Sequence, residues 1–567
     1  MRRSSRRSDT LCVVRWFSRG AVSLGALALI RVAVGCALDW PPPLETTGED
    51  GGVPDGGNPD ADTPDSDAPG DCETCSALAA HAHPDAPPTG ATHEVAAGDD
   101  LQAVLDAAGP GDEIVLEAGA TFSGTFYLPP KSGDAWITVR TAAISALPGP
   151  CTRLGPEHLA ALPKLIGPAG EAVLVAADGA HHYRLVGLEL TVEPGPPFPE
   201  GIVVIGLESE VDPELYPHHI ELDRVYLHGD PVTGSTHGLL VHGGETKLMS
   251  SRITDIKSEA QPAIAVKGHN GPGPLFLLNN WIESAGAQVH LGGHAPTTPG
   301  QVISGVEIRF CDLTRPAAWN PNDPSFDGSA WKLGNAVSLL NTREVIVEGN
   351  RIDNVTGHVF RLEAGSDGAG ETYGVVQDVT ITANAIWGGD SSLFNLVAGD
   401  AVDPMLRTQR IAIADNLAVD LLGRIIELPQ GIEDLEITHN TILQAAHIFF
   451  ADGPSPNFLF VDNIVNHNSY GMWCNGVGWG TSCLEAQFPG YDVRRNVIVG
   501  LPMTIPPSDY PPDNFFPAYS VGFVDPAAGD YHLSDRSPYR RMATDGSDIG
   551  VRFAAHDAAA ACRTAPR

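Results

Sequence analysis

Apolar and polar residues alternate in short segments that recur along the chain from about residue 93 onward. Because successive side chains of a β-strand point to opposite faces, each segment predicts a strand with one buried face. The segments are GLLVHG (238–243), AIAVKG (263–268), QVHLGG (288–293), AVSLLN (336–341), VFRLEA (359–364), LFNLVA (393–398), IIELPQ (425–430) and IFFADG (448–453). Aligned on their ends, they predict an interior column of Leu239, Ile264, Val289, Val337, Phe360, Phe394, Ile426 and Phe449.

A second pattern repeats between these strands: asparagine, or a residue in its place, is followed two positions later by an apolar residue. Asparagine tolerates the left-handed backbone of a bend, and its amide can bond the same residue one coil up, forming a ladder. A parallel β-helix requires such a ladder position in each coil, whereas a β-sandwich does not. The repeats begin at Asp223, Ser251, Asn280, Cys311, Asn350, Asn384, Asn416, Asn440, Asn463 and Asn496.

The stretch GDDLQAVLDAAGPGDEIVLEAG predicts a short amphipathic helix, a turn and a strand. A helix at this place would cap the apolar end of the solenoid, which has no neighbouring coil on that side. We therefore expect an all-β domain over residues 91–555, followed by a short tail over 556–567.

The N-terminal region predicts export. Arginines precede a short apolar run, and VAVGC then resembles a bacterial lipobox whose cysteine, Cys36, would be lipidated. A plain secretory signal is the alternative. Residues 1–36 are thus a predicted signal with lipobox, and the Pro, Gly and Asp-rich residues 37–90 are a predicted disordered tether. We expect an outer-membrane or cell-surface lipoprotein, or otherwise a secreted protein, acting as a monomer.

The net charge of the chain limits which classes of molecule the protein is expected to bind. The net charge of −36 disfavours binding to nucleic acid, whose phosphates it would repel. Against that acidic background, the outward positions of the aligned strands predict a basic patch of His242, Lys267 and His290, with His294 on the following loop. A cationic patch suits an anionic sugar such as a uronate, although lysine and histidine are also ordinary residues on a solvated face.

Further along the same face lies a second predicted patch, which would bind substrate or else be a salt-bridged surface. It consists of Arg361, Glu363, Asn395 and Glu427. Trp281 and Trp319 are expected on loops that wall a groove beside the first patch, where their rings could stack on sugars.

Other histidines and cysteines carry weaker signals. His181–His182 and His218–His219 are adjacent pairs, so on a regular strand their side chains would point opposite ways, and we expect no metal site there. One histidine from each pair could still cooperate. Cys474 and Cys483 are spaced to close a small disulfide loop, whereas CETC (72–75) falls in the predicted tether.

Residues of roughly 93–550 resemble the pectate-lyase-like superfamily of right-handed parallel β-helix proteins. The segment LQAVLDAAGPGDEIVLEAG is similar to its N-terminal cap, and FVDPAAGDYHLSDRSPYRRMATDGSDIG is similar to its closing segment. In layout, AIAVKG…NNWIESAGAQVHLGGH resembles the chondroitinase B and alginate lyase family, with Lys267 matching the family's lysine. The place of its arginine holds Gly292, or Leu291 with a shifted register, and only Glu259 stands near the places of its calcium-binding acids.

The resemblance implies a carbohydrate-active protein, with β-elimination on a uronate polysaccharide as the expected reaction. In it Lys267, His290 and His242 are the expected catalytic residues. The alternatives are a non-catalytic glycan-binding protein and a structural surface solenoid. Calcium is a conceivable cofactor, but the sequence presents no evident ligand set.

Overall fold

The computed structural model describes residues 75–83, 85, 87–195, 201–298, 300–364, 374–399 and 406–563. The described residues up to Val524 and from Tyr531 onward belong to one compact unit, and Asp525–Asp530, with the 3₁₀ turn Pro526–Ala528, is the described part of another. The larger unit is a right-handed parallel β-helix, as the sequence predicts. Each coil contributes one strand to each of three sheets, named here first, second and third in the order in which the chain visits them.

The first sheet has 14 parallel strands. Its apolar residues alternate with outward polar ones, which is why the strands have one buried face. The strands are Thr92–Val95, Glu113–Leu116, Ile137–Thr141, His181–Val186, His218–Asp223, Gly244–Met249, Gly273–Leu278, Ile303–Arg309, Thr342–Glu348, Val376–Thr382, Thr408–Ala414, Glu433–Thr438, Leu459–Val461 and Asp492–Arg494.

The second sheet has 13 short parallel strands. They are Thr121–Ser123, Lys164–Gly167, Glu189–Val192, Tyr226–His228, Arg252–Ile256, Trp281–Ser284, Asp312–Thr314, Arg351–Asp353, Ala385–Gly389, Leu417–Leu421, Thr441–Gln444, Ile464–Asn466 and Val497–Val499.

The third sheet also has 13 strands, and the last of them runs antiparallel to its neighbour. They are Phe126–Leu128, Leu174–Ala176, Val203–Ile205, His237–Val241, Ile264–Gly268, Ala287–Leu291, Val337–Leu339, Phe360–Glu363, Phe394–Val397, Ile426–Leu428, Phe449–Ala451, Met472–Cys474 and Gly478–Trp479. Two further short strands near the C-terminus are Phe523–Asp525 and Asp530–Leu533.

Helices are few and short. The predicted capping helix is Leu101–Ala107: Asp100 caps it by accepting from the Ala103 N–H at 3.0 Å, and Leu101 and Leu105 are buried. The other α-helices are Ser76–Ala79, Gly480–Gln487 and Phe553–Cys562, and the remaining 3₁₀ turns are Ile144–Ala146, Pro156–Ala161, Pro213–Leu215, Ala317–Trp319 and Pro507–Asp509. No helix in the described ranges is both long and apolar enough to cross a membrane.

The interior column of the third sheet differs from the predicted one at a single coil. Val266, and not Ile264, stacks between Leu239 and Val289. The prediction aligned the strands on the glycines that follow them, but the turns after those strands differ in length, so the glycines are not equivalent. A shift of two residues keeps each side chain of the strand Ile264–Gly268 on its predicted face.

The asparagine ladder forms at the corner between the first and second sheets. Asn384 donates from Nδ2 to Oδ1 of Asn416 at 2.9 Å, and Asn416 donates likewise to Asn440. Each Oδ1 also accepts the backbone N–H of the asparagine in the preceding coil, and each Nδ2 also bonds a backbone carbonyl. The ladder side chains are therefore fully buried and fully hydrogen-bonded.

Two details of the ladder differ from the sequence prediction. The left-handed backbone belongs to the residue before each ladder position, such as Asn279 (φ 52°) or Asp415 (φ 55°), and not to the ladder asparagine. In the first repeat the ladder position is held by Val225, two residues after the predicted Asp223, because Tyr226 pairs with Arg252. The bend and the amide bonds are thus supplied by two successive residues.

Both ends of the described chain are bound to the β-helix, which corrects two predicted boundaries. Cys75 forms a disulfide with Cys562, and Leu78 and Ala559 are buried in the same apolar cluster. Cys75 and Leu78 therefore pack on the β-helix although they fall within the predicted tether over residues 37–90, and the described part of the predicted tail over 556–567 continues the helix Phe553–Cys562. Apolar residues at helical spacing in both segments provide the buried contacts. Cys36 lies outside the described residues.

Two other features of the cysteines are a short disulfide loop and a buried thiol. The predicted disulfide between Cys474 and Cys483 is confirmed. Cys311 is buried with a free thiol and occupies a ladder position, where its Sγ accepts the Asn280 N–H at 3.3 Å.

Replacing Asn416 by Ala should destabilise the fold by at least ~2 kcal/mol, because buried donors and acceptors in two neighbouring coils lose their partners. Asn475→Ala is the matched control, since its amide makes one exposed bond, to Asp452 at 2.9 Å. Urea unfolding followed by circular dichroism measures both. Equal midpoints for the two variants would contradict a stabilising role for the ladder.

Candidate functional site

Lys267 and His290 stand side by side on the outer face of the third sheet. They are direct register partners in neighbouring strands, so their Cα atoms are one strand spacing of ~4.8 Å apart. The prediction placed Gly292 opposite Lys267; the two-residue shift described above places His290 there instead. Both side chains are partly exposed.

A fourth imidazole, that of His269, was missed in the sequence prediction and lies among those of His242, His290 and His294. The ring of His269 is 6.5 Å from that of His290, 5.8 Å from that of His242 and 4.7 Å from that of His294. We name these four histidines together with Lys267 the histidine–lysine cluster. His269 follows the strand Ile264–Gly268 at the start of a turn, outside the alternating pattern, so periodicity could not reveal it.

His242 does not point outward as predicted. It follows the strand His237–Val241 and is fully buried, because the turn folds it under the next coil. Its Nδ1 accepts the backbone N–H of His269 at 3.2 Å, which assigns the proton to Nε2. That Nε2 has no hydrogen-bond partner within the described part of the chain. His242 therefore supports the cluster from beneath.

Glu208 is the acidic partner of the cluster and was also missed. Its Oε1 lies 2.7 Å from Nδ1 of His269, and this bond is the main cause that lowers the pKa of Glu208 to about 2. Burial lowers the pKa of His269 even though Glu208 opposes the change. The pair is thus a carboxylate that accepts an N–H from a neutral imidazole.

Burial also decides the protonation of the other members. It lowers the pKa of His290 to about 3 and that of His242 to about 4, with His269 adding to both shifts, so both rings are neutral at pH 7. Burial lowers the pKa of Lys267 as well, against the attraction of Glu208. The cluster therefore presents neutral nitrogen bases and one amine that is easier to deprotonate than a free lysine.

A glycine shapes the space around His290. Gly293 has φ 94°, and a Cβ at that residue would lie 2.8 Å from Nε2 of His290. The turn can therefore pass over the ring only with glycine at this position.

The second predicted patch lies in the same outward column, but its members bind one another. Arg361 forms an ion pair with Glu363, with an Nε–Oε2 distance of 2.8 Å. Glu427 accepts from Ser392 at 2.9 Å and from Asn395 at 3.5 Å. This agrees with the salt-bridged surface kept as the alternative, and a role for these residues in substrate binding stays a prediction.

The two tryptophans predicted to wall the groove lie elsewhere. Trp281 is in the second sheet, under the guanidinium of Arg252 at 5.0 Å. Trp319 is buried at the end of a 3₁₀ turn that follows a second-sheet strand, with Lys257 5.1 Å from its ring. The prediction inferred loops from the gaps between aligned strands, whereas the chain continues there as strand or compact turn.

Aromatic residues gather instead at the C-terminal end of the third sheet. Phe450 and Trp473 are register partners that continue the column of His290, and the exposed ring of Tyr470 stacks on Trp473 at 5.0 Å. Arg424 lies over Phe450 and His447 packs edge-on against Tyr470. We name Phe450, Tyr470 and Trp473 the aromatic platform. Alternation in IFFADG could have revealed Phe450, but no sequence pattern marks Tyr470.

The paired histidines do not point opposite ways. Nδ1 of His181 is 2.8 Å from Nδ1 of His182, and Nδ1 of His218 is 2.7 Å from Nδ1 of His219. The second residue of each pair has a left-handed backbone, which brings both side chains to one side of the strand. This overturns the geometric argument against a metal site.

No protein-family model and no curated protein matches the chain. Among solved structures it is similar to a PL6 family alginate lyase, AlyGC, with 12% identity, 81% of this chain and 58% of that chain covered, and a TM-score of 0.41. The catalytic domain of a GH87 alpha-1,3-glucanase in complex with nigerose is similar with 12% identity. The match covers 72% of this chain and 69% of that chain, with a TM-score of 0.47. A mannuronic acid specific polysaccharide family 6 lyase from human gut microbiota is also similar. It has 12% identity, 71% of this chain and 91% of that chain are covered, and the TM-score is 0.31. The chain thus spans little more than half the length of the first of these lyases.

Acid should destabilise the fold through His242. Its pKa is about 4 when folded against 6.5 for the ordinary residue, so unfolding takes up a proton as the pH falls below 6.5. Through this group, the free energy of unfolding should be lower at pH 5 than at pH 7 by on the order of 2 kcal/mol. His242→Asn, whose carbonyl can still accept the His269 N–H, should lose correspondingly less between the two pH values in urea unfolding. An identical pH dependence in both proteins would contradict the buried neutral ring.

Proposed function

We propose that the outer face of the third sheet binds an acidic polysaccharide and that Lys267 and His290 catalyse β-elimination at a uronate. The observation that carries this is the direct pairing of an amine and a neutral imidazole in neighbouring strands, partly exposed and backed by His269 and Glu208. β-Elimination requires a base within reach of the proton next to the carboxylate, and a donor that stabilises the charge that develops there.

In this reaction the neutral amine of Lys267 removes the proton from the carbon next to the carboxylate. The electron pair forms the new C=C bond, and the C–O bond to the leaving sugar breaks. The ammonium formed on Lys267 returns its proton to the leaving oxygen. His290 remains neutral at pH 7 and donates its N–H to the substrate carboxylate. Burial favours this division of roles because it lowers the pKa of both groups.

The charge distribution supports an anionic substrate. The protein carries a net charge of −36, so Arg361, although paired with Glu363, is a local cation on this face. Arg361 lies two strands beyond His290, and its charge reaches that ring. An acidic chain laid along the column from Lys267 and His290 would reach the guanidinium of Arg361 two strands further on.

The aromatic platform favours a second candidate function, glycan binding without catalysis. Phe450 lies five strands beyond His290 in the same column, a distance of roughly 24 Å at ~4.8 Å per strand. Partly exposed rings at this distance from His290 suit a long oligosaccharide, since aromatic faces pack on the apolar faces of sugars. Binding at the platform requires neither Lys267 nor His290.

We place either activity outside the cell. The predicted N-terminal export signal and the predicted lipidation of Cys36 support a surface-anchored protein, for which a polysaccharide is an accessible substrate.

Purified protein incubated with uronate polysaccharides should generate the unsaturated product, followed by its ultraviolet absorbance. On a substrate that reacts, Lys267→Met should reduce kcat by about 10²–10⁴-fold, the usual contribution of a general base. Lys131→Met is the matched control, because this exposed amine bonds only the Asp106 carbonyl among the described contacts. Full turnover by Lys267→Met would exclude the lysine as the base.

Trp473→Ala should weaken binding to whichever polysaccharide binds wild type by about 5–30-fold, a loss of ~1–2 kcal/mol typical of an aromatic anchor. Affinity electrophoresis in gels that contain the polysaccharide measures the change. Tyr519→Ala removes an exposed ring outside the platform and should migrate as wild type does. Equal retardation of both variants would show that the platform does not contact the glycan. Retardation with no product from any polysaccharide would favour binding over catalysis.

A further inference from the structure

Four histidines form a two-by-two array at the start of two neighbouring strands of the first sheet. His181 pairs with His218 in register, and their rings stack at 4.9 Å with planes 2° apart. The rings of His182 and His219 stack at 4.4 Å. Within each coil the two Nδ1 atoms are 2.7–2.8 Å apart, so at least one hydrogen must lie between them. We name these residues the histidine array.

The local backbone explains how adjacent residues share one side. His182 and His219 have φ values of 57° and 54°, in the left-handed region that side chains other than glycine seldom adopt. The same bulge recurs at this place in later coils of the first sheet. It is found at Gly305, Glu344, Asp378, Arg410, Asp434 and Asn457.

The bulge therefore recurs along the first sheet whatever the side chains are, whereas paired histidines occupy it in two coils. The residues that precede the bulge in the later coils are Ser304, Arg343, Gln377, Gln409 and Glu433, followed by Pro456. None of these can form an imidazole pair. The fold supplies a position where successive side chains converge, and only at residues 181–182 and 218–219, among the bulges named here, are both of them histidine.

The neighbours of the array complete a ligand environment. One nitrogen each from His182, His218 and His219 lie within 4.8 Å of one another, the only such convergence of potential metal ligands among the described residues. Nε2 of His219 is 2.9 Å from a carboxylate oxygen of Glu245, which leaves Nδ1 as the lone pair facing His218. Trp136 packs edge-on against His182 and closes one wall.

We propose that the histidine array binds one divalent late transition-metal ion of the Zn²⁺ class through His182, His218 and His219. Imidazole is a preferred ligand of these ions, whereas Ca²⁺ and Mg²⁺ prefer oxygen. Zn–N bonds of ~2.0–2.1 Å require the three nitrogens to move slightly inward, within the reach of side-chain rotation. Glu245 then acts as the carboxylate that orients a metal-binding histidine from its other nitrogen.

The three proposed ligands come from two neighbouring strands of the first sheet. The bound ion would link two coils of the first sheet. The array lies in a different sheet from Lys267 and His290, so the proposal does not depend on the proposed function.

The test uses the full chain without a polyhistidine tag, freed of metal by a chelator. Titration calorimetry with ZnCl₂ at pH 7 should give one equivalent bound, and CaCl₂ should give none at the array. Glu245→Gln should weaken Zn²⁺ binding by about 10–100-fold. The double variant His218→Asn, His219→Asn should lose that equivalent. His93→Asn, whose ring also contacts a carboxylate, that of Asp112 at 3.0 Å, should bind as wild type does.

Two results would overturn the proposal: wild type that binds less than half an equivalent of Zn²⁺, or a folded double variant that binds as wild type does. If the double variant loses its circular dichroism signal, carbethoxylation of histidines in wild type, mapped by mass spectrometry, decides the question. Zn²⁺ should then protect His182, His218 and His219 from the reagent at least about tenfold. Equal modification with and without Zn²⁺ would exclude the site.

Discussion

The architecture depends on a corner that every coil must turn in the same way. A left-handed residue bends the chain out of the first sheet, and the next residue buries an amide that bonds the coils on either side. A buried amide has four hydrogen-bonding positions, and stacking identical corners is the arrangement that satisfies them without water. Loops at the other corners can then vary in length without loss of register, because the ladder aligns successive coils.

Register is what turns separate residues into sites. Lys267 and His290 are distant in sequence and would be unrelated on a flexible surface, but neighbouring strands place them one spacing apart. The histidine array arises in the same way from two coils of the first sheet. In both places the ionisable groups are partly buried by their own neighbours, so the regular scaffold determines the pKa directions as well as the positions.

The fold could be predicted from the sequence because its signals are periodic. Alternation identified the strands, and the asparagine repeat identified the stacking. The placement of Lys267 and His290 on one outer face could be predicted because both lie on strands, whereas His269 and Glu208 lie in turns whose paths no period describes. The paired histidines misled because a regular strand was assumed where the chain has a left-handed bulge. The bond between Cys75 and Cys562 joins residues 487 apart, and the spacing of cysteines along a chain does not specify their partners.

That disulfide has a consequence for what happens when a protease cuts the chain. Nearly the whole described chain lies between its two half-cystines, so a peptide bond cut in any intervening loop produces two fragments that stay covalently joined. Each fragment would also keep its hydrogen bonds to the coils on either side of the cut. A nicked molecule would therefore migrate as one species until it is reduced. A single cut would therefore shed neither piece, and the outer face of the third sheet would outlast the integrity of the chain that forms it.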